Sequence, residues 1–251
     1  MQLCFQGAMA EMKLTFLGTR ANIESQTNQH SMHSSLLVSY YDQRIMIDCG
    51  LDWLGKVEEI DPDCIFITHA HPDHAFGLKE GSPCPVYATS ESWEKLMEFE
   101  IEKRVTVHPR EKIQVGDVYF EAFPVDHSTI APAVGYKVAA GRRQIFYVPD
   151  VVWIHDRESA LSGVDLYIGD GATIERSLVR KIDEALVGHT PIRTQLTWCQ
   201  KEEVLKAIFT HCGTEIVESD LRKINPKLEK MAQERNLKAG LAFDGLEVVL
   251  R

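Results

Sequence analysis

The segment Thr68-His69-Ala70-His71-Pro72-Asp73-His74 constrains this chain more than any other, because it sets four metal-binding side chains, His69, His71, Asp73 and His74, within six residues. Directly before it, Cys64-Ile65-Phe66-Ile67 is an apolar run of strand length, which predicts a buried strand ending at Thr68. The ligand-type residues therefore fall on a strand-end loop. Alternation along an extended segment turns His69 and His71 the same way, while Pro72 and Asp73 suit the first turn of a helix that carries His74. Two sub-sites are expected, His69 and His71 on one cation, Asp73 and His74 on a second. Imidazole and carboxylate donors suit zinc, and also manganese or iron, so ligand type restricts the metal without choosing it.

This His-x-His-x-Asp-His spacing resembles the signature of the metallo-β-lactamase superfamily, without a substitution. The resemblance implies an α/β fold, the four-layer α/β/β/α metallo-β-lactamase sandwich, and a hydrolase with two divalent metal ions, zinc foremost. Three further positions resemble the later motifs of that superfamily. His127, in Phe123-Pro124-Val125-Asp126-His127-Ser128, would complete the first metal's set. Asp150, after Ile145-Phe146-Tyr147-Val148-Pro149, would bridge both metals, and His211, after Ala207-Ile208-Phe209-Thr210, would complete the second set. His189 competes with His211, since Val187-Gly188-His189-Thr190 also follows an apolar segment, Ile182 to Leu186. The order Gly-His-Thr, a helix-like stretch from Gln195 to Leu205, then Thr-His resembles the tRNA 3′-processing endonucleases called ribonuclease Z and their cyclic-phosphodiesterase relatives. In that resemblance His211 is the ligand. His189 then faces the scissile phosphate as a charge stabiliser or proton donor, with a structural hydrogen bond as the alternative.

The amino-terminal region resembles the same relatives: Lys13-Leu14-Thr15-Phe16-Leu17-Gly18-Thr19 reads as an opening strand and glycine turn, and Ser34 to Val38 with Ile45 to Gly50 as a hairpin pair. Asp48 is read evenly as a carboxylate that orients a ligand histidine or as a turn residue before Cys49-Gly50. Helix-like stretches lie near Glu91 to Glu102, Gln195 to Lys206 and Pro226 to Asn236.

With 251 residues, 44% of them hydrophobic and no Pro/Gly/Ser-rich linker, one sizeable core and a single domain over residues 9–251 are expected. Residues 1–8 read as an expression-tag remnant, since Leu3-Cys4-Phe5-Gln6-Gly7 resembles a protease-site scar. No signal-like segment and no apolar run of about 18 residues is visible, which points to a cytoplasmic protein without a membrane partner. Outside the scar, Cys49, Cys64, Cys84, Cys199 and Cys212 show no paired spacing and read as buried free thiols.

Two cations about 3.5 to 4 Å apart lower the pKa of a bridging water toward about 7 and clamp both oxygens of an in-line displacement. Metal-bound hydroxide is the expected nucleophile. Asp73 and Asp150 hold the pair, and one of them, Asp73 in the catalytic assignment, also accepts the water's proton. Residue by residue, the superfamily's other branches fit less well. His71 stands where a diiron oxidoreductase carries glutamate, Asp150 is absent from true β-lactamases, and the pattern usual around the third histidine of glyoxalase II-like thioesterases is missing at His127. The phosphodiesterase branch remains.

Within it, ribonuclease Z enzymes of the short form insert a tRNA-gripping arm between the His127 and Asp150 motifs, whereas 22 residues intervene here and read as a hairpin. The balance of 27 Lys+Arg against 37 Asp+Glu, net −10, further disfavours tRNA. Arg142, Arg143, Arg176, Arg180 and Lys181 are read as scattered surface charge. Gly169-Asp170 replaces the His-Glu of the ribonuclease Z segment that follows the bridging aspartate, and Asp170 is read as shaping a glycine turn in preference to touching the site. The Gln29 to His33 loop, with His30 and His33, reads as surface polarity, and Trp198 as a helix aromatic packed on the core. The expected function is a dinuclear-metal phosphodiesterase on a small or cyclic phosphodiester. Hydrolysis of a carboxylic ester, lactone or thioester, RNA 3′ processing, and a non-catalytic binding role are the alternatives. A homodimer is compatible with all of them.

Overall fold

A computed structural model describes residues 11–251, so the tag remnant expected at residues 1–8, Cys4 included, lies outside the described residues. The first half of the chain gives β1 (Met12–Gly18), β2 (Ser35–Tyr40), β3 (Gln43–Ile47), β4 (Cys64–Phe66), β5 (Val86–Ala88) and β6 (Arg104–Thr106), which lie side by side in that order. The second half gives β7 (Lys112–Val115), β8 (Val118–Asp126), β9 (Ala133–Ala140), β10 (Arg143–Tyr147), β11 (Trp153–Ile154), β12 (Leu166–Asp170), β13 (Arg180–Ile182), β14 (Ala185–Val187), β15 (Lys206–Thr210), β16 (Lys238–Leu241) and β17 (Glu247–Leu250). Strand β17 returns to the first sheet beside β1. The second sheet runs β11-β8-β9-β10-β12-β15-β16, with β7 paired to β8, and β13 with β14 forms a separate hairpin.

The strands read as unbroken apolar runs because each sheet is covered on both faces. Leu36 and Val38 of β2, Ile45 and Ile47 of β3 and Phe66 of β4 face Phe120, Tyr136, Tyr147 and Ile168 of the second sheet, while Leu37, Met46 and Ile65 between them face outward. On the second sheet Ile145, Tyr147 and Ile168 point between the sheets, and Phe146 and Tyr167 point away. Phe66 is fully buried and stacks on Phe120 at 3.9 Å and on Tyr87 at 4.4 Å. Truncating such a ring to alanine costs roughly 3–5 kcal/mol.

Helices close the two outer faces. Against the second sheet lie α4 (Arg157–Leu161), α5 (Ile192–Lys201) and α7 (Leu221–Gln233); the first carries α1 (Val57–Ile60), α2 (Pro72–Ala75) and α3 (Ser90–Lys95), and the short α6 (Thr214–Val217) follows β15. Three hydrophobic layers therefore separate four layers of secondary structure, the expected α/β/β/α sandwich.

Helix boundaries differ from the sequence reading. The stretch predicted as helix over Glu91 to Glu102 is helical only to Lys95, where Arg104 Nη2 takes the carbonyls of Met97 and Phe99 and holds the chain in a turn. Helix α5 starts before Gln195 and ends at Lys201, because Lys206 already belongs to β15. Helix α7 begins at Leu221, capped by Asp220, and runs through Pro226: Ile224, Leu228, Met231 and Ala232 bury one stripe, and that packing outweighs the proline. No helix of the described residues is long and apolar enough to cross a membrane.

Candidate metal centre

Strands of both sheets end at one place, and each delivers a ligand-type side chain there. Strand β4 runs into Thr68 and the histidine segment, and α2 opens with Pro72 in its first turn, so that Asp73 and His74 turn inward and are buried. Strand β8 ends next to His127, β10 leads to Asp150, and β15 leads to His211. The chain passes close beneath the segment at Gly50, where a Cβ would lie 2.2 Å from the Asp73 carbonyl oxygen. His211 itself sits at φ 52°, an uncommon conformation for a non-glycine residue, braced by Cys212 N–H donating to Thr19 O at 2.6 Å.

All seven expected ligands meet. One group comprises His69, His71, His127 and Asp150, a second Asp73, His74 and His211, each with donor atoms within 4.8 Å of one another. Asp150 Oδ2 stands between them, 3.1 Å from His69 Nε2, 3.4 Å from His127 Nε2 and 3.1 Å from His74 Nε2. His74 Nε2 and His211 Nδ1 are buried with no well-aligned hydrogen bond, and each faces a carboxylate oxygen of Asp150, Oδ2 at 3.1 Å and Oδ1 at 2.8 Å respectively. Likewise His71 Nδ1 faces two other imidazole nitrogens, His69 Nε2 at 3.0 Å and His127 Nε2 at 3.2 Å. Imidazole and carboxylate donors that converge on one another with so few well-aligned partners fit bound divalent cations.

The outer nitrogens fix which atoms point inward. His127 Nδ1 donates to Gly188 O at 3.1 Å, and His74 Nδ1 donates to Asp48 Oδ2 at 2.9 Å. Asp48 also accepts from Thr68 N–H and the Thr68 hydroxyl, whose oxygen lies 3.1 Å from His69 Nδ1. One buried carboxylate thus orients a histidine of each group, which decides the even reading of Asp48 for the ligand-orienting role. Its φ of 62° is tolerated by aspartate.

Charge divides the two groups. Burial, reinforced by neighbouring imidazoles, holds His69 and His127 below the usual histidine range and pushes His71 down to about 4, so these rings are neutral. Burial also opposes the charge on His74 and His211, but the carboxylates around them, Asp73 and Asp150 foremost, prevail and raise both well above that range. In turn Asp73 and Asp150, despite burial, are held well below the usual carboxylate range.

Other positions depart from the sequence reading. Asp170 is buried and does more than shape a turn: Oδ1 accepts from Ala172 N–H at 2.8 Å, but Oδ2 lies 2.8 Å from His189 Nδ1. His189, with its side chain 23% exposed, stacks at 5.4 Å on His211 and falls in a third cluster with Asp150, Asp170 and His211. The Gln29 to His33 loop is not surface polarity, since His30 and His33 are buried, His30 Nδ1 on Thr19 Oγ1 and His33 Nδ1 on Asp52. Arg176 and Arg180 are exposed, as expected of surface charge, but they also border the cavities at the centre. Ile182 to Leu186, read as apolar, is an exposed hairpin rather than core. Trp198 packs in the core as expected.

A family model described as a β-lactamase superfamily domain matches residues 43–212, a stretch that includes every position of both ligand groups. The chain belongs to this superfamily. A ribonuclease Z of Methanopyrus kandleri is 26% identical over 203 residues, covering 68% of this chain and 71% of that one; in the ribonuclease Z of Methanococcus aeolicus the match spans 44% of the relative. Among solved structures, the metallo-β-lactamase fold protein YhfI from Bacillus subtilis superposes with a TM-score of 0.73 at 15% identity, over 96% of this chain and 100% of that one. A diphosphatase of the PhnP family gives 0.69 at 20% identity, over 96% and 97%. These superpositions show the metallo-β-lactamase fold. Fold, family and a cluster able to bind metal ions are together those of a metal-dependent hydrolase of the superfamily.

Proposed function

We propose that this chain is a dinuclear-metal phosphodiesterase acting on a small phosphodiester. The observation that carries the reading is the Asp170–His189 pair, in which buried Asp170 holds His189 at the wall of the cavity beside both ligand groups. His69, His71 and His127 would hold one cation, Asp73, His74 and His211 the other, with Asp150 shared. Two such cations, zinc foremost and manganese or iron also suited, would supply an activated water and neutralise phosphoryl charge.

The chain's own groups account for the remainder. Against the effect of burial, Asp170 and Asp150 raise the His189 pKa above the usual histidine value, which favours the protonated ring. With Nδ1 held on Asp170, the other ring nitrogen is positioned to give that proton to a leaving oxygen. Asp73, kept ionised by its histidine neighbours, is suited to hold a cation and orient an attacking water, its low pKa making it a weak proton acceptor. A leaving alkoxide needs such a donor more than a thiolate does, which favours phosphodiesters over thioesters.

Relatives named ribonuclease Z favour a second reading, RNA 3′ processing. Against it stand the tight β9–β10 connection between the His127 and Asp150 positions, which leaves no room for a gripping arm, and the net charge of −10. The test is a matched panel on zinc- and manganese-loaded protein: bis-p-nitrophenyl phosphate, a cyclic phosphodiester, pre-tRNA, a lactone and a thioester. Chelator-sensitive turnover of the first two is expected. Turnover confined to the lactone or thioester overturns the phosphodiesterase reading, and preference for pre-tRNA replaces it with the second.

A further inference from the structure

The cavity at the metal centre has two arms, which share His71, His127 and His189. The larger, about 610 Å³, extends past Asp73 and His211 to Asn22, Thr173, Arg176 and Thr214. The smaller, about 330 Å³, is walled by Ile130, Ile182 and Val187, with Arg180 at its edge. Both lie within the small-ligand range of roughly 300–1,000 Å³.

Each arm holds an arginine with no ion pair among the described residues. The nearby carboxylates are engaged elsewhere: Glu175 with Lys227, Glu184 with Lys181, and Glu215, in the larger arm, with the Thr173 hydroxyl and Ile174 N–H. Beside Arg180, Ile130 is 70% and Ile182 48% exposed, apolar surface left in water next to the site. One excursion of the chain builds much of both arms. It carries Arg176, rises as the β13–β14 hairpin, and is tied at its base to the site by Leu178 N–H donating to His189 O and Gly188 N–H donating to His127 O.

We propose that the two arms read the two ester substituents of one phosphodiester separately. Arg176 takes an anionic group on one substituent, and Ile130 with Ile182 takes an apolar or aromatic face on the other, to which the planar Arg180 guanidinium adds a stacking surface. The substrate class is then a small phosphodiester with a further negative charge on one arm. A polymer needs many phosphate contacts, and a single cation in each arm does not provide them. This inference rests on the phosphodiesterase reading.

Two phosphonate monoesters test it, phenyl pentylphosphonate and phenyl (4-carboxybutyl)phosphonate, which differ only by a terminal methyl against a carboxylate. On zinc-loaded protein, calorimetry should show the carboxylate ligand bound about five- to tenfold more tightly. Arg176→Ala should bring the ratio to about one and Arg176→Lys restore part of it, while Ile182→Ser weakens both ligands by a common factor. Zinc content and melting temperature check that each variant is folded. Equal affinities in the unsubstituted protein, or a preference that survives Arg176→Ala, overturns the proposal. The preference without turnover of any phosphodiester sinks the phosphodiesterase reading and leaves two-armed recognition standing; turnover without the preference does the reverse.

Discussion

At the scale of single residues, one contact sets His189 apart from the proposed ligands: its Nδ1 is committed to Asp170, while the outer nitrogens of His74 and His127 are committed so that their inner ones face the proposed cation sites. His189→Gln is expected to lower kcat by about 10²- to 10⁴-fold with two equivalents of zinc retained. Loss of one equivalent on metal analysis would make His189 a ligand instead. Protons and metal compete unequally at the two groups. His69, His71 and His127 are neutral without metal, whereas the raised pKa values of His74 and His211 mean that a cation must displace protons there. Affinity at the second group should therefore climb as pH rises toward those folded-state values, and affinity at the first should stay nearly flat above about pH 6. Calorimetric titration with zinc across pH reads both, and parallel slopes would refute the division. The residues that converge at the candidate centre were legible because imidazoles and carboxylates directly after apolar strands have few structural duties. Asp48 and Asp170 were not, since a carboxylate beside glycine has the same local pattern whether it closes a turn or meets a histidine from elsewhere in the chain. Asp170 does both.

At the scale of elements, the period-2 alternation of β2, β3, β4, β10 and β12 was visible as apolar runs, but which face met the other sheet depended on contacts far apart in sequence. Helix ends were misjudged where tertiary packing overrode local preference, as at Pro226. The β13–β14 hairpin was hidden for the opposite reason: its Ile182 and Leu186 look like core residues and are exposed. Its base is Gly188, at φ +108°, where a Cβ would lie 2.3 Å from Leu178 O. Gly188→Ala should displace the hairpin and remove the Gly188 carbonyl that accepts from His127 Nδ1, with about a 10- to 100-fold loss of metal affinity. Zinc competition against a chromogenic chelator measures it. Unchanged affinity would show that His127 does not need this support.

At the scale of the whole molecule, Cys49, Cys64, Cys84, Cys199 and Cys212 are buried as free thiols, and burial pushes Cys64 and Cys199 up to about 12. At about pH 8 a thiol-disulfide reagent should leave all five unreacted in the native protein and reach all five in guanidinium, as read by mass spectrometry. Labelling of any one under native conditions would reveal an opening of the layers. The ligand groups belong to no single layer: His69, His71, Asp73 and His74 follow the first sheet, and His127, Asp150 and His211 follow the second. Chelation is therefore expected to lower the melting temperature as well as abolish turnover, and an unchanged transition would contradict that coupling. Neither half of the chain carries a complete set of arms, so bound ions would act as a rivet through the seam, and catalytic competence would become a report that the two halves have closed on each other correctly.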